Sequence, residues 1–198
     1  MEALESPALP VTHEIPVQRR LILFAWLAPL VVALDHVTKL MAVAQLRFSP
    51  RLSYLGDLLR LQYSENAGAF LGLGAELQPR VRFWLLTVAV GALLVGILAL
   101  LFTRDGVTRG EAVGLTLIGA GGFSNWIDRL LNEGVVIDFL NLGVGGLRTG
   151  IFNVADMAIT GGVLFLAVLS LTGRRTEQHS DPDERGAEGV LGGDSGDP

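Results

Sequence analysis

Cysteine is missing from all 198 residues. Its absence excludes disulfides, thiol nucleophiles and thiolate metal sites. Histidine is nearly missing as well. His13, His36 and His179 stand far apart and no HExxH pair occurs, which argues against a zinc peptidase and leaves no metal or other cofactor expected. No stripe of basic residues marks a nucleic-acid partner. The net charge of −5 belongs largely to the tail, because the 25 residues from Arg174 to Pro198 carry three Arg against seven Asp and Glu. Residues 1–18 hold three Glu and three Pro rather than the basic start of a cleaved signal peptide, so the first apolar stretch is expected to stay in the mature chain.

What the sequence has in quantity is hydrophobic residues: half the chain, with a mean hydropathy of +0.48. That composition points to a membrane protein. A bilayer core of ~30 Å needs roughly 20 mostly apolar residues per helix. Residues 83–102 meet this with Thr87 as their single polar side chain. Residues 21–34 span if continued through the polar stretch to 43, 112–131 form a glycine-rich third helix, and 154–171 a fourth. Between the first two, Leu59-Arg60-Leu61-Gln62-Tyr63 alternates as a half-buried strand does, predicting a small β-containing subdomain over about 44–80. Residues 134–142, short and apolar around one acid, predict a membrane-surface helix or turn. The four glycines of 142–150 predict a mobile loop.

Charged groups inside a bilayer are costly and so point to function. Asp35 and Lys39 are spaced i, i+4 on one helix face and can pair. Asn125, Asp128 and Arg129 share a face near the end of the third helix, and Asn153 and Asp156 repeat the i, i+3 spacing at the start of the fourth. Singly, each cluster has an ordinary explanation as hydrogen bonding between helices. Together they place polar groups at one membrane face, beside the 44–80 subdomain. Asp138, in Val-Val-Ile-Asp-Phe-Leu, and Asp156 have no obvious local base. Two carboxylates brought together in a poorly solvated place share a proton, one acting as base and one as acid. Spacing alone does not bring these two together, and an ion- or proton-coupled transporter also uses intramembrane acids. A serine peptidase built on Ser124 and His36 is a lesser rival, since no nucleophile motif surrounds Ser124.

Five segments then resemble a known family. Asp35-His-Val-Thr-Lys39, Asn66-Ala-Gly-Ala-Phe70, Gly121-Gly-Phe-Ser-Asn-Trp-Ile-Asp-Arg129, Val136-Ile-Asp-Phe139 and Phe152-Asn-Val-Ala-Asp156 occur in the order found in signal peptidase II, the bacterial lipoprotein signal peptidase. The resemblance covers roughly residues 20–173. It implies that Asp138 and Asp156 are the catalytic pair of an aspartic endopeptidase, and that Asp35, Lys39, Asn66, Gly68, Asn125, Asp128, Arg129 and Asn153 bind substrate or brace the site. It implies cleavage just before the diacylglyceryl-modified cysteine of a prolipoprotein, without metal, in contact with membrane lipid, and inhibition by cyclic peptide antibiotics of the globomycin type. The expected architecture is an all-α integral membrane protein of the bacterial cytoplasmic (inner) membrane. It has four transmembrane helices, a small extracytoplasmic β-containing subdomain and a short interfacial helix, with both termini cytoplasmic. Residues 1–19 form a cytoplasmic segment, 20–173 the peptidase domain, and 174–198 an acidic disordered cytoplasmic tail.

Overall fold

A computed structural model describes residues 14–69 and 73–178, with side chains described through Thr172. The terminal segment before Glu14, most of the acidic tail, and Phe70 lie outside the described residues.

Among the described residues, three helices are long and apolar enough to cross a membrane: Val17–Leu46, Pro79–Thr103 and Val154–Thr172. The first, α1 (Val17–Leu46), has 30 residues. At 1.5 Å per residue it is about 45 Å long, more than the ~30 Å hydrocarbon core. The second is continuous but not uniform. A short α2 (Pro79–Phe83) runs through a π-helical segment, Trp84–Ala89, into α3 (Val90–Thr103). The widened turn has a structural use: the Thr87 carbonyl accepts a hydrogen bond from Trp126 Nε1 at 2.8 Å, the kind of outside partner that accompanies π-bulges.

A fourth long helix, α4 (Arg109–Leu131), opens on a capping box. Thr108 Oγ1 accepts from the Glu111 amide at 3.2 Å, and Glu111 Oε2 accepts from the Thr108 amide at 2.8 Å. Its glycines lower its hydropathy but let α5 (Val154–Gln178) approach closely. A Cβ at Gly121 would meet the Ala155 carbonyl at 2.5 Å, and one at Gly114 would overlap Leu166. At the same end as this capping box the buried Arg20 ties α1 to α3. Its guanidinium donates to the carbonyls of Ile15, Leu101 and Arg104 at 2.7–3.1 Å, satisfying groups at a helix terminus.

Apolar burial is sparse and sits in three small clusters along the bundle, around Leu101 and Val107, around Ala28, Val31 and Ala120, and around Ala42, Leu46 and Phe139. Meanwhile Leu21, Ile22, Trp26, Leu93, Val95 and Leu164 face outward. Helices apolar on their outer surface and polar where they meet suit lipid surroundings.

The remaining chain forms one antiparallel sheet in the order β1 (Leu52–Tyr54), β2 (Leu59–Asn66), β3 (Val136–Val144), β4 (Leu147–Arg148). Here the structure corrects two expectations. The 134–142 stretch is not an interfacial helix; it supplies most of β3. Val136, Ile137 and Phe139 favour strand, and β2 offers an unpaired edge that takes them up, pairing Leu59 with Leu142, Ser64 with Asp138 and Asn66 with Val136. Nor is 142–150 simply a loop: Gly145, at φ +56°, turns β3 back into β4. The β-structure expected within 44–80 is therefore only half of the sheet.

Candidate active site

Every polar cluster picked from the sequence converges at one end of the bundle, where α1, α4, the start of α5 and the β2–β3 pair meet. Local rules put the fourth-helix acid there. Asn153 caps α5: its Oδ1 accepts from the Asp156 amide at 2.9 Å, while Asp156 Oδ2 accepts from the Asn153 amide at 3.3 Å. This is a capping box in which the acid occupies the first turn, where the helix's positive end favours negative charge. Asp138 is brought in by the sheet. Phe152, the residue before the cap, exchanges backbone hydrogen bonds with Leu140 on β3, at 2.8 Å each way. Asp138 and Asp156 thus lie on either side of a single backbone seam.

Three asparagines bind the two acids into one unit. Asn153 Nδ2 donates to Asp138 Oδ1 at 2.7 Å and to Asn125 Oδ1 at 3.0 Å. Asn125 Nδ2 donates to Asp156 Oδ1 at 2.9 Å, and Asn66 Nδ2 donates to Asp138 Oδ2 at 2.9 Å. Asp138 is 1 % exposed and Asp156 8 %. Burial, reinforced by the Asp156 charge and opposed by the hydrogen bonds from Asn66 and Asn153, pushes the Asp138 carboxyl up to about 7. A raised carboxyl holds its proton in the folded state where the unfolded chain would release it. Its contribution to stability is therefore present below the ordinary value of 3.8 and is lost as pH rises through about 7.

Lys39 sits behind this pair. Its ammonium lies 2.5 Å from Asp35 Oδ2 and 2.7 Å from Asp128 Oδ2, and donates to Asn125 Oδ1 at 2.9 Å. Asp35 in turn accepts from the Ala155 amide at 2.9 Å, capping α5 from α1. Arg129 reaches forward instead, donating to the Gly68 carbonyl at 2.7 Å, while the Gly68 amide donates to Asn66 Oδ1 at 2.9 Å. All ten residues singled out from the sequence are in this network.

Ser124 and His36 are neighbours, at 3.0 Å between Oγ and Nδ1, yet their chemistry is spoken for. Ser124 is fully buried and donates its proton to Asp35 Oδ2 at 2.7 Å. His36 Nδ1 also lies 3.2 Å from the Val32 carbonyl, one turn back on α1. Ser124 is a brace for Asp35, a role that the sequence did not signal. Among the described residues, no group of three or more His, Asp or Glu side chains gathers in a metal-holding arrangement.

Beside Asp156 an apolar cavity of about 580 Å³ opens between the sheet and α5, lined by Leu59, Leu140, Leu142, Phe152, Met157 and Thr160 among others. It puts an oily wall directly against one of the two acids.

Comparison with known proteins finds relatives of the chain as a whole. The family model described as signal peptidase (SPase) II matches residues 27–172. A lipoprotein signal peptidase of Rhodococcus jostii (strain RHA1) is 34% identical over 176 residues, covering 85% of this chain and 79% of that protein. One of Sphingopyxis alaskensis is 36% identical over 140 residues, 70% of this chain and 79% of the relative. A solved bacterial membrane enzyme superposes with a TM-score of 0.69 at 24% identity, covering 85% of this chain and 97% of that one, a likeness of fold.

Proposed function

The chain belongs to the signal peptidase II family, and from that premise we propose that Asp138 and Asp156 are the catalytic pair with which it removes signal peptides from prolipoproteins. Signal-peptide cleavage is the family's activity, and the apolar helices with that membership make the chain a bacterial membrane protein. The aspartic mechanism is supported chiefly by one observation: the two buried acids are joined through Asn125 and Asn153 and share a partly desolvated place.

With one proton between them, the ionised carboxylate takes a proton from a water molecule as its oxygen attacks the scissile carbonyl. The protonated one gives its proton to the carbonyl oxygen. As the tetrahedral intermediate collapses, the acid that protonated the carbonyl oxygen takes a proton back from one of its two hydroxyls, the C–N bond breaks, and the leaving amine receives the proton taken from water. Asn66, Asn125 and Asn153 hold the acids in register; Lys39 and Asp35 brace the helices beneath; Arg129 and Gly68 present polar groups to the peptide. The apolar cavity beside Asp156 suits the acyl chains of a diacylglyceryl-modified cysteine, which fixes the cut just before that residue. Cyclic peptides of the globomycin type would occupy the same cleft.

In this reading α4 crosses the membrane as a fourth span. Both termini lie in the cytoplasm, the sheet and active site are extracytoplasmic, and residues 20–173 act as one peptidase domain flanked by the 1–19 segment and the 174–198 tail. The transporter alternative is not favoured: its acids would have to exchange ions, whereas relatives at 32–36% identity are peptidases.

The test is cleavage of a diacylglyceryl prolipoprotein by the purified chain across pH. Because Asp138 is pushed up to about 7, the pair loses its shared proton above that value. So kcat/KM is expected to fall as pH rises past about 7, approaching tenfold per unit. Release of no signal fragment, or a rate that stays flat to high pH, would count against this reading.

A further inference from the structure

The far end of the sheet, away from the two acids, carries apolar side chains that no part of the described chain covers. Two turns stand side by side there, because Leu59 pairs with Leu142 and the Gly143 amide donates to the Leu58 carbonyl at 3.0 Å. At their tips Leu55 is 76 %, Val144 75 % and Leu147 86 % exposed. Leu55 stands at φ +54° and Asp57 at φ +72°. That left-handed conformation is unfavourable for a branched residue such as leucine, and Gly or Asn would relieve it. A leucine held there keeps an apolar group at the very tip.

The tips are also locked together. Asp57 on the first turn accepts from Arg60 through both carboxylate oxygens, at 2.7 and 2.5 Å. Arg148, beside the second turn, donates to the Asp57 carbonyl at 2.8 Å and to Asn141 Oδ1 at 2.6 Å. The Arg60 hydrogen bonds, with help from Ser53, hold the Asp57 carboxyl well below the usual carboxylate range, so the clamp stays charged. One carboxylate between two guanidiniums leaves a net positive collar just behind the apolar tips.

Where the tips point follows from the cavity. Leu59 and Leu142, at the base of the turns, share its lining with Met157, Thr160 and Gly161 of α5. Gly161 is seven residues into α5, about 10 Å along its axis. Around it Met157, Leu164 and Val168 face outward on a helix apolar enough to span a membrane. The sheet therefore runs down the outer flank of a spanning helix rather than standing beyond its end.

We propose that the paired tips, around Leu55 and around Val144–Leu147, dip into the bilayer beside α5, with Arg60 and Arg148 at the level of the lipid phosphates. An apolar point behind a cationic collar is the arrangement of an interfacial anchor. It would fix the height of the sheet, and hence of Asp138 and Asn66, relative to the lipid in which the substrate's acyl chains lie. The inference rests on the membrane reading above, but not on the peptidase chemistry.

Absence of cysteine makes the test direct. Leu55→Cys and Leu147→Cys, each spin-labelled in the full-length protein in phosphatidylglycerol-containing nanodiscs, are compared with Leu164→Cys on α5 and Glu76→Cys. Collisions with oxygen, which partitions into lipid, are set against collisions with a water-soluble nickel chelate. Labels at 55 and 147 are expected to favour oxygen, as the label at 164 does, and to contrast with the label at 76. Preference for nickel at 55 and 147 alone overturns the anchor. So does shielding from both probes, which would mean a protein partner or a second copy of the chain. Preference for nickel at 164 as well would overturn the membrane reading itself.

Discussion

Replacing either Asp138 or Asp156 by Asn is expected to lower cleavage of a lipidated prolipoprotein by at least about a hundredfold, the range for losing a positioned acid or base. Asn keeps the size and two of the acceptor positions but cannot exchange the shared proton. Because Asn125 and Asn153 link the two acids directly, they act as a unit, and effects within a unit are strongly non-additive. The double variant should be hardly slower than either single one. The Asp138→Asn variant gives up one of the two hydrogen bonds from Asn66 and Asn153, but a neutral amide needs no buried charge, so its stability relative to wild type should improve as pH rises through about 7. Either single variant retaining more than about a tenth of wild-type turnover at saturating substrate, a barrier change under ~1.4 kcal/mol, would remove that residue from the chemistry.

The second large effect concerns Lys39. Replacement by Met leaves Asp35 and Asp128, both buried, without their common cation. Breaking a buried pair from one side costs about 3–5 kcal/mol, a large share of a typical fold's stability. Lys39→Met is expected to accumulate poorly and to lose its sharp elution peak in detergent. Asp35→Asn should be milder, since Lys39 keeps Asp128, yet it still weakens the cap on α5 through the Ala155 amide. Its loss should fall on folded yield and KM more than on kcat. Neutralising all three, Lys39→Met with Asp35→Asn and Asp128→Asn, should recover part of the folded yield lost by Lys39→Met alone. A Lys39→Met protein as abundant and heat-resistant as wild type would refute the bracing role. A well-folded Asp35→Asn that binds substrate normally but is inert would move Asp35 into the chemistry.

Which parts were legible in the sequence follows from the range of the interactions involved. Pairs on one helix turn were readable: Asp35 with Lys39, and Asn153 with Asp156, meet because i, i+3 and i, i+4 spacings force them onto one face. The apolar helices were readable by length, although α4 owes its place to packing through Gly114 and Gly121 rather than to hydropathy. The convergence of Asp138 on Asp156 was not readable from spacing, and only the family resemblance implied it. It depends on Phe152 stitching to Leu140 across the sheet, a non-local pairing with no signature in either segment. The same blindness turned β3 into an expected surface helix. A nine-residue run with an acid at its centre reads equally well as an interfacial helix until β2 is known to present an open edge. The Asp57 clamp was missed because Arg148 is 91 residues away from it. Ser124 was noticed as a rival nucleophile; its actual work, holding Asp35, depends on a contact between helices.

The shared proton is the centre of this account, and infrared difference spectroscopy of the carboxyl stretch reads it without any substrate. The wild-type protein, titrated in lipid, should show a protonated buried carboxyl that persists into the neutral range and disappears as pH passes about 7. Asp138→Asn should abolish that signal. Asp156→Asn should move its disappearance to lower pH, because the neighbouring charge that helps retain the proton is gone. A carboxyl signal that vanishes at ordinary carboxylate pH in the wild type, or that survives unchanged in Asp138→Asn, would contradict the paired-acid mechanism.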